Sequence, residues 1–216
     1  MAVLAPDGRH LGFLGLPWAG SKAPTPEMRQ WLAQAMPVLG HAVDPMRSLS
    51  AIAGLVQAAF AGVLLHEDGQ VVALPGLAGH ALLAADSALV AAARAELAAA
   101  QVHATFLWPL GGHHAPDGHA QVTVMRVRTG LAVRLDAMVL LAPPPHLQGL
   151  TPRELQILGL LVRGHSNAQI ARALVVSART VAAHLEHILA KLAASSRTLA
   201  AVRAQRSGLY VPWRPS

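Results

Sequence analysis

The 216-residue chain has no cysteine, one tyrosine, and only two lysines, Lys22 and Lys191. Without cysteine there are no disulfides, no thiolate metal centres and no thiol nucleophiles. No G-x-x-x-x-G-K segment occurs, which excludes a phosphate-cradling P-loop. The scarcity of lysine also argues against a phospho-accepting domain, which needs a lysine beside an acidic cluster in the N-terminal half. Long hydrophobic runs are missing too. The best candidate, 49–65, is shorter than the roughly 20 residues of a membrane helix. It is also interrupted by Gln57, so it reads as a buried helix and strand. The early apolar stretch holds Asp7, Arg9 and His10 with no basic segment before it. No secretory start is therefore expected, and the expected location is the cytoplasm.

Charge is scarce but unevenly placed. Aspartate, glutamate, lysine and arginine make up 13% of the chain, yet its formal net charge is +6. Residues 150–216 carry eight arginines and Lys191 against Glu154 and Glu186, a net of +7, whereas residues 1–149 net −1. A basic block confined to one segment suits a module that neutralises phosphates, each contact steepening the logarithmic salt dependence by about 0.9.

The same segment is punctuated as a set of short helices. Thr151 is an N-cap, Pro152 suits the first helical position, and Glu154 completes a capping box. Leu155, Leu158, Leu161 and Val162 recur at helical spacing, and Gly164 supplies a left-handed stop near Arg163. Ser166 and Gln169 form a second capping box, with Ile170 and Leu174 as an apolar pair before a turn at Val175-Val176. Ser177 then opens a third helix. On it Val181, Leu185, Ile188 and Leu192 form one stripe, and Arg179, Ala182, Ala183, Glu186 and Ala190 fall opposite. Small residues at Ala182 and Ala183 allow close approach to a major groove, where Glu186 could accept a hydrogen bond from a cytosine amino group. Arg179, Thr180, His184, His187 and Lys191 flank that face as phosphate contacts.

The segments Leu150-Thr151-Pro152-Arg153-Glu154, Gly164 to Ala171, Ser177 to His184, Lys191-Leu192 and Ser196-Arg197 resemble the LuxR-type four-helix DNA-binding domain over about 60 residues. The resemblance implies a scaffold helix from Ser166 to Leu174, a recognition helix from Ala178 to Leu192, and a fourth helix from Ser196 to Arg206 that in this family often makes the dimer contact. It further implies DNA contacts from Ser166, Asn167, Ser177 and Arg197, and binding as a homodimer to a two-fold double-stranded operator. The chain departs from the common family pattern at Ala182 and Glu186, where a basic or larger polar side chain is usual.

The first 140 residues read as strands alternating with helices. Val3-Leu4 and Leu11 to Leu16 flank a Pro6-Asp7-Gly8 turn, and a helix opens at Pro26-Glu27 through Trp31, Leu32 and Ala35. A second helix is expected over 48–60, with Ile52, Leu55, Val56 and Phe60 at helical spacing. Gly62 to Leu65 and Val71 to Leu74 flank Glu67-Asp68-Gly69 as a hairpin. Alanine-rich Ser87 to Ala100 forms a helix with Leu89, Val90 and Leu97 inward. Three more strands are expected at Thr105 to Leu107, Gln121 to Arg128 and Leu131 to Leu141. Residues 61–142 resemble a PAS-type α+β domain, and residues 1–60 resemble the closing hairpin and last helix of a GAF-type domain, so the chain is expected to begin inside a domain. Pro143-Pro144-Pro145 gives a stiff extended linker over 143–149, ahead of the helical domain at 150–216.

Other chemistry is weaker. His113, His114 and His119 share one loop without a fourth ligand, so a solvated loop is the simpler reading and no metal or cofactor is expected. His184-Leu185-Glu186-His187 spaces its histidines three apart, unlike the zinc-binding H-E-x-x-H helix. Trp18, Trp31 and Trp108 could line a pocket, but scattered aromatics more often fill cores. The expectation is a DNA-binding transcriptional regulator and not an enzyme, with an N-terminal α+β region for dimerisation or for a small-molecule or protein effector. The alternative is a ligand- or partner-sensing module whose DNA-binding domain is inactive.

Overall fold

The computed structural model describes residues 2–4, 10–13, 25–43, 58–100, 102–112, 115–127 and 135–213. Two short strands, β1 (Ala2–Leu4) and β2 (His10–Phe13), pair antiparallel as the hairpin signal requires. Helix α1 (Pro26–Val43) starts where Thr25 Oγ1 accepts the Met28 N–H, and it runs well past Ala35. Trp18, His113, His114 and residues 48–57 of the helix expected over 48–60 lie outside the described residues. Ala58 to Phe60 are not helical.

The main sheet has five antiparallel strands: β3 (Ala61–His66), β4 (Val71–Ala73), β5 (His103–Pro109), β6 (His119–Arg126) and β7 (Leu135–Ala142). Their spatial order is β4-β3-β7-β6-β5. At the β3–β4 turn, Asp68 accepts the Gln70 N–H and Gly69 takes φ of 90°, a left-handed position that suits glycine. Side chains alternate across β3 and β7. Val63, Leu65, Val139 and Leu141 enter one core, while Leu64, Met138 and Leu140 enter a second on the opposite face. Helix α2 (Ala88–Ala100), capped by Ser87, buries Leu89, Val90 and Leu97 against the first face. Glu96 is buried on the same helix.

Four helices follow the proline-rich segment: α3 (Pro152–Val162), α4 (Asn167–Leu174), α5 (Ala178–Lys191) and α6 (Arg197–Ser207). The apolar stripe read for α3 is only part of its buried surface, since Ile157 and Leu160 are buried as fully as Leu155 and Leu158. A helix that is apolar all round needs a partner on both sides. One side of α3 meets the other helices. The other meets the segment after α6, where Val211 N–H donates to the Leu155 carbonyl. That tail in turn reaches edge strand β5, whose Leu107 N–H donates to the Tyr210 carbonyl at 2.8 Å. Sheet and helices thus share one continuous apolar core. The helical region is seated on the sheet. No single described helix is long and apolar enough to cross a membrane.

Candidate nucleic-acid interface

Local caps set the start of each helix. Thr151 Oγ1 accepts the Glu154 N–H while Glu154 Oε2 accepts the Thr151 N–H at 2.8 Å. Ser166 and Gln169 repeat that exchange at α4. Ser177 Oγ accepts the Thr180 N–H at 3.0 Å and lies 2.8 Å from the Thr180 hydroxyl, so both side chains serve the start of α5. Helices α4 and α5 are set at 108° to each other, within the range of a helix-turn-helix pair.

The turn between them rests on an unusual residue. Val175 ends α4 with φ 54° and ψ 51°, and the residue is 90% exposed. A β-branched residue is strained in this left-handed region and here gains no burial in return. Val175→Gly is therefore expected to stabilise the chain by about 1 kcal/mol, less the extra unfolded-state freedom of glycine. Thermal unfolding of the full chain measures this, and a fall in midpoint would show that the valine side chain itself is needed.

Helix α5 buries Val181, Leu185 and Ile188. On its other side Arg179, Thr180, Ala183, Glu186 and His187 are exposed, with Ala182 and His184 half-buried. The structure thus brings most of the expected groove-facing residues onto one open flank. Ser166, Asn167 and Arg197 gather separately at the start of α4. There Arg197 donates to the His165 carbonyl at 2.6 Å and lies 3.4 Å from Asn167 Oδ1.

Lys191 already has a partner. Its ammonium lies 3.0 and 2.7 Å from the two carboxylate oxygens of Glu154, which is 2% exposed, so the lysine is paired within the domain. Burial pushes the Glu154 carboxyl up. The Lys191 hydrogen bond, the Thr151 N–H and the lysine charge together outweigh this and hold it below its ordinary value.

Other bases of the +7 segment are similarly committed. Arg153 donates to the Leu174 carbonyl at the end of α4, and Arg203 to the Leu192 and Ala193 carbonyls at the end of α5. These guanidiniums satisfy carbonyls that helix ends leave unpaired. Arg172 and Arg179 are exposed on α4 and α5 with no partner among the described residues. Arg172 is not among the residues that the family resemblance singles out, although its place in the last turn of the scaffold helix marks it. Elsewhere, burial lowers the pKa of His119. Among the described residues no group of three or more histidine, aspartate or glutamate side chains could hold a metal ion. Trp31 is exposed while Trp108 is buried, so these two do not line one pocket.

Two capped helices at a right-angled turn, the second with one buried and one open face, define a helix-turn-helix module. Residues 148–204 match the family of bacterial regulatory proteins described as the luxR family. The chain carries a LuxR-family helix-turn-helix domain at its C-terminus. Over 65 residues it is 46% identical to the transcriptional regulatory protein LiaR of Bacillus subtilis, covering 30% of each chain. Over 57 residues it is 46% identical to the HTH-type transcriptional regulator MalT of Yersinia pestis, covering 26% of this chain and 6% of that one. The chain thus spans less than a third of the length of these relatives. A solved Vibrio cholerae VqmA dimer, described among LuxR-type receptors, aligns over 76% of this chain and 90% of its own, with 18% identity and a TM-score of 0.39.

Proposed function

We propose that the chain is a transcriptional regulator that binds double-stranded operator DNA as a homodimer through residues 150–216. In this reading residues 1–60 form a GAF-like segment and 61–142 a PAS-like domain. Together they supply dimerisation or respond to a small-molecule or protein effector across the 143–149 linker. The protein acts in the cytoplasm and catalyses no reaction. The observation that carries this reading is the open flank of α5 beside Arg179, presented by a helix pair at 108°. Ala182 and Ala183 let the helix approach base edges, Glu186 reads one of them, and Arg179 with the helix N-termini holds phosphates.

Selection of bound sequences from a random DNA pool by the full chain tests this reading, followed by titration at several salt concentrations. Arg179→Ala is expected to weaken all sequences alike and to reduce the salt slope by about one. Glu186→Ala is expected to relax preference at one base position by about 1–3 kcal/mol. Equal loss on every sequence for Glu186→Ala would remove its readout role, and no binding even at low salt would overturn the regulator reading.

A further inference from the structure

A cleft of about 950 Å³ separates α2 from the end of α3 and from α6. Its size falls within the roughly 300–1,000 Å³ of small-molecule sites. The polar groups lining it are not balanced in charge. Its one acid, Glu96, is 6% exposed and already spent: one carboxylate oxygen accepts the Tyr210 hydroxyl at 2.8 Å, and the other pairs with the Arg163 guanidinium. Burial first, and then the charge of Glu96, drive the Tyr210 hydroxyl well above its ordinary value, so it stays a donor to that carboxylate. Arg163 gives Glu96 only one nitrogen, and its side chain remains 38% exposed. Arg206 also lines the cleft, is exposed, and has no partner among the described residues. His103 and His165 complete the wall. Two guanidiniums therefore border a space whose single carboxylate is already neutralised. Forked guanidinium donors match the geometry of carboxylates and phosphates.

We propose that this cleft binds a small anionic molecule bearing a carboxylate or phosphate group, anchored by Arg206 and Arg163, with Glu96 as the internal competitor for Arg163. The ligand's anion takes the Arg163 donors that Glu96 leaves free and so shares the guanidinium of the Glu96–Arg163–Tyr210 clasp that fastens the helices to α2. The consequence for DNA rests on the regulator reading above, whereas the binding itself does not.

The test uses the full chain without DNA, titrated calorimetrically with inorganic phosphate and separately with citrate. Binding of either probe is expected, and which one binds assigns the ligand to phosphate or carboxylate chemistry. Arg206→Ala should weaken it about tenfold, the loss of one charge-assisted hydrogen bond. Glu96→Gln should tighten it by removing the competing charge. Arg29→Ala, on α1 and outside the cleft lining, should leave it unchanged. Binding of neither probe, binding that Arg206→Ala leaves unchanged, or binding that falls equally in Arg29→Ala and Arg206→Ala, would overturn the proposal. Because no DNA is present, a failure of operator binding leaves this result intact.

Discussion

Gly159→Ala is expected to destabilise the chain by about 3 kcal/mol, although alanine in a helix interior ordinarily gains about 1 kcal/mol over glycine. Gly159 lies inside α3 where the tail after α6 crosses it, and a Cβ there would sit 1.9 Å from the Val211 carbonyl oxygen. The obstacle is backbone, not the end of a side chain that could swing away. The tail must therefore retreat, which pulls on the Val211–Leu155 and Leu107–Tyr210 hydrogen bonds and on the buried Leu209 and Tyr210. Overpacking alone costs about 1–3 kcal/mol, and the lost tail contacts add to it. Denaturant unfolding of the full chain measures the change, and limited proteolysis should show earlier cleavage near 208–213. A variant at least as stable as the parent would mean that the tail is not seated on α3.

The same place explains which parts of the fold were legible in the sequence. Capping boxes at Thr151/Glu154 and Ser166/Gln169 are contacts between residues three apart, so sequence alone contains them. The Glu67-Asp68-Gly69 turn and the inward face of α2 are equally local. The clasp joins Glu96 to Tyr210, 114 residues apart, and Glu154 meets Lys191 across 37. No local pattern encodes such pairs. One signal was available. Ile157, Gly159 and Leu160 break the one-sided stripe of α3, and a helix apolar all round asks for a second partner. Net charge was legible in sign but not in use. The +7 suggests a broad phosphate clamp, yet Arg153, Arg197 and Arg203 are turned to backbone carbonyls. Such bonds depend on where helix ends meet, which composition does not reveal.

Lys191→Met is expected to act on folding before it acts on DNA. Removing the lysine leaves the buried Glu154 carboxylate with the Thr151 groups as its remaining donors. Breaking a buried pair costs about 3–5 kcal/mol, and the 31% exposure of the Lys191 side chain lets water offset part of it, so about 2–3 kcal/mol is expected. The pH dependence separates this from a lost surface charge. In the parent the folded pKa of Glu154 is depressed. Its contribution is thus fully present above the ordinary carboxyl value of about 4.3 and lost as pH falls through the lower folded value. Without the lysine, burial has less opposing it, the folded pKa rises, and protonation costs the variant less. The stability gap between parent and variant should therefore narrow as pH falls below about 4.5. Glu154→Gln combined with Lys191→Met should recover part of the loss, since a neutral pair leaves no buried charge unpaired. Under conditions where Lys191→Met remains folded, the salt slope of DNA binding should match that of the parent. A slope reduced by about one, with unchanged stability, would place Lys191 among the phosphate contacts.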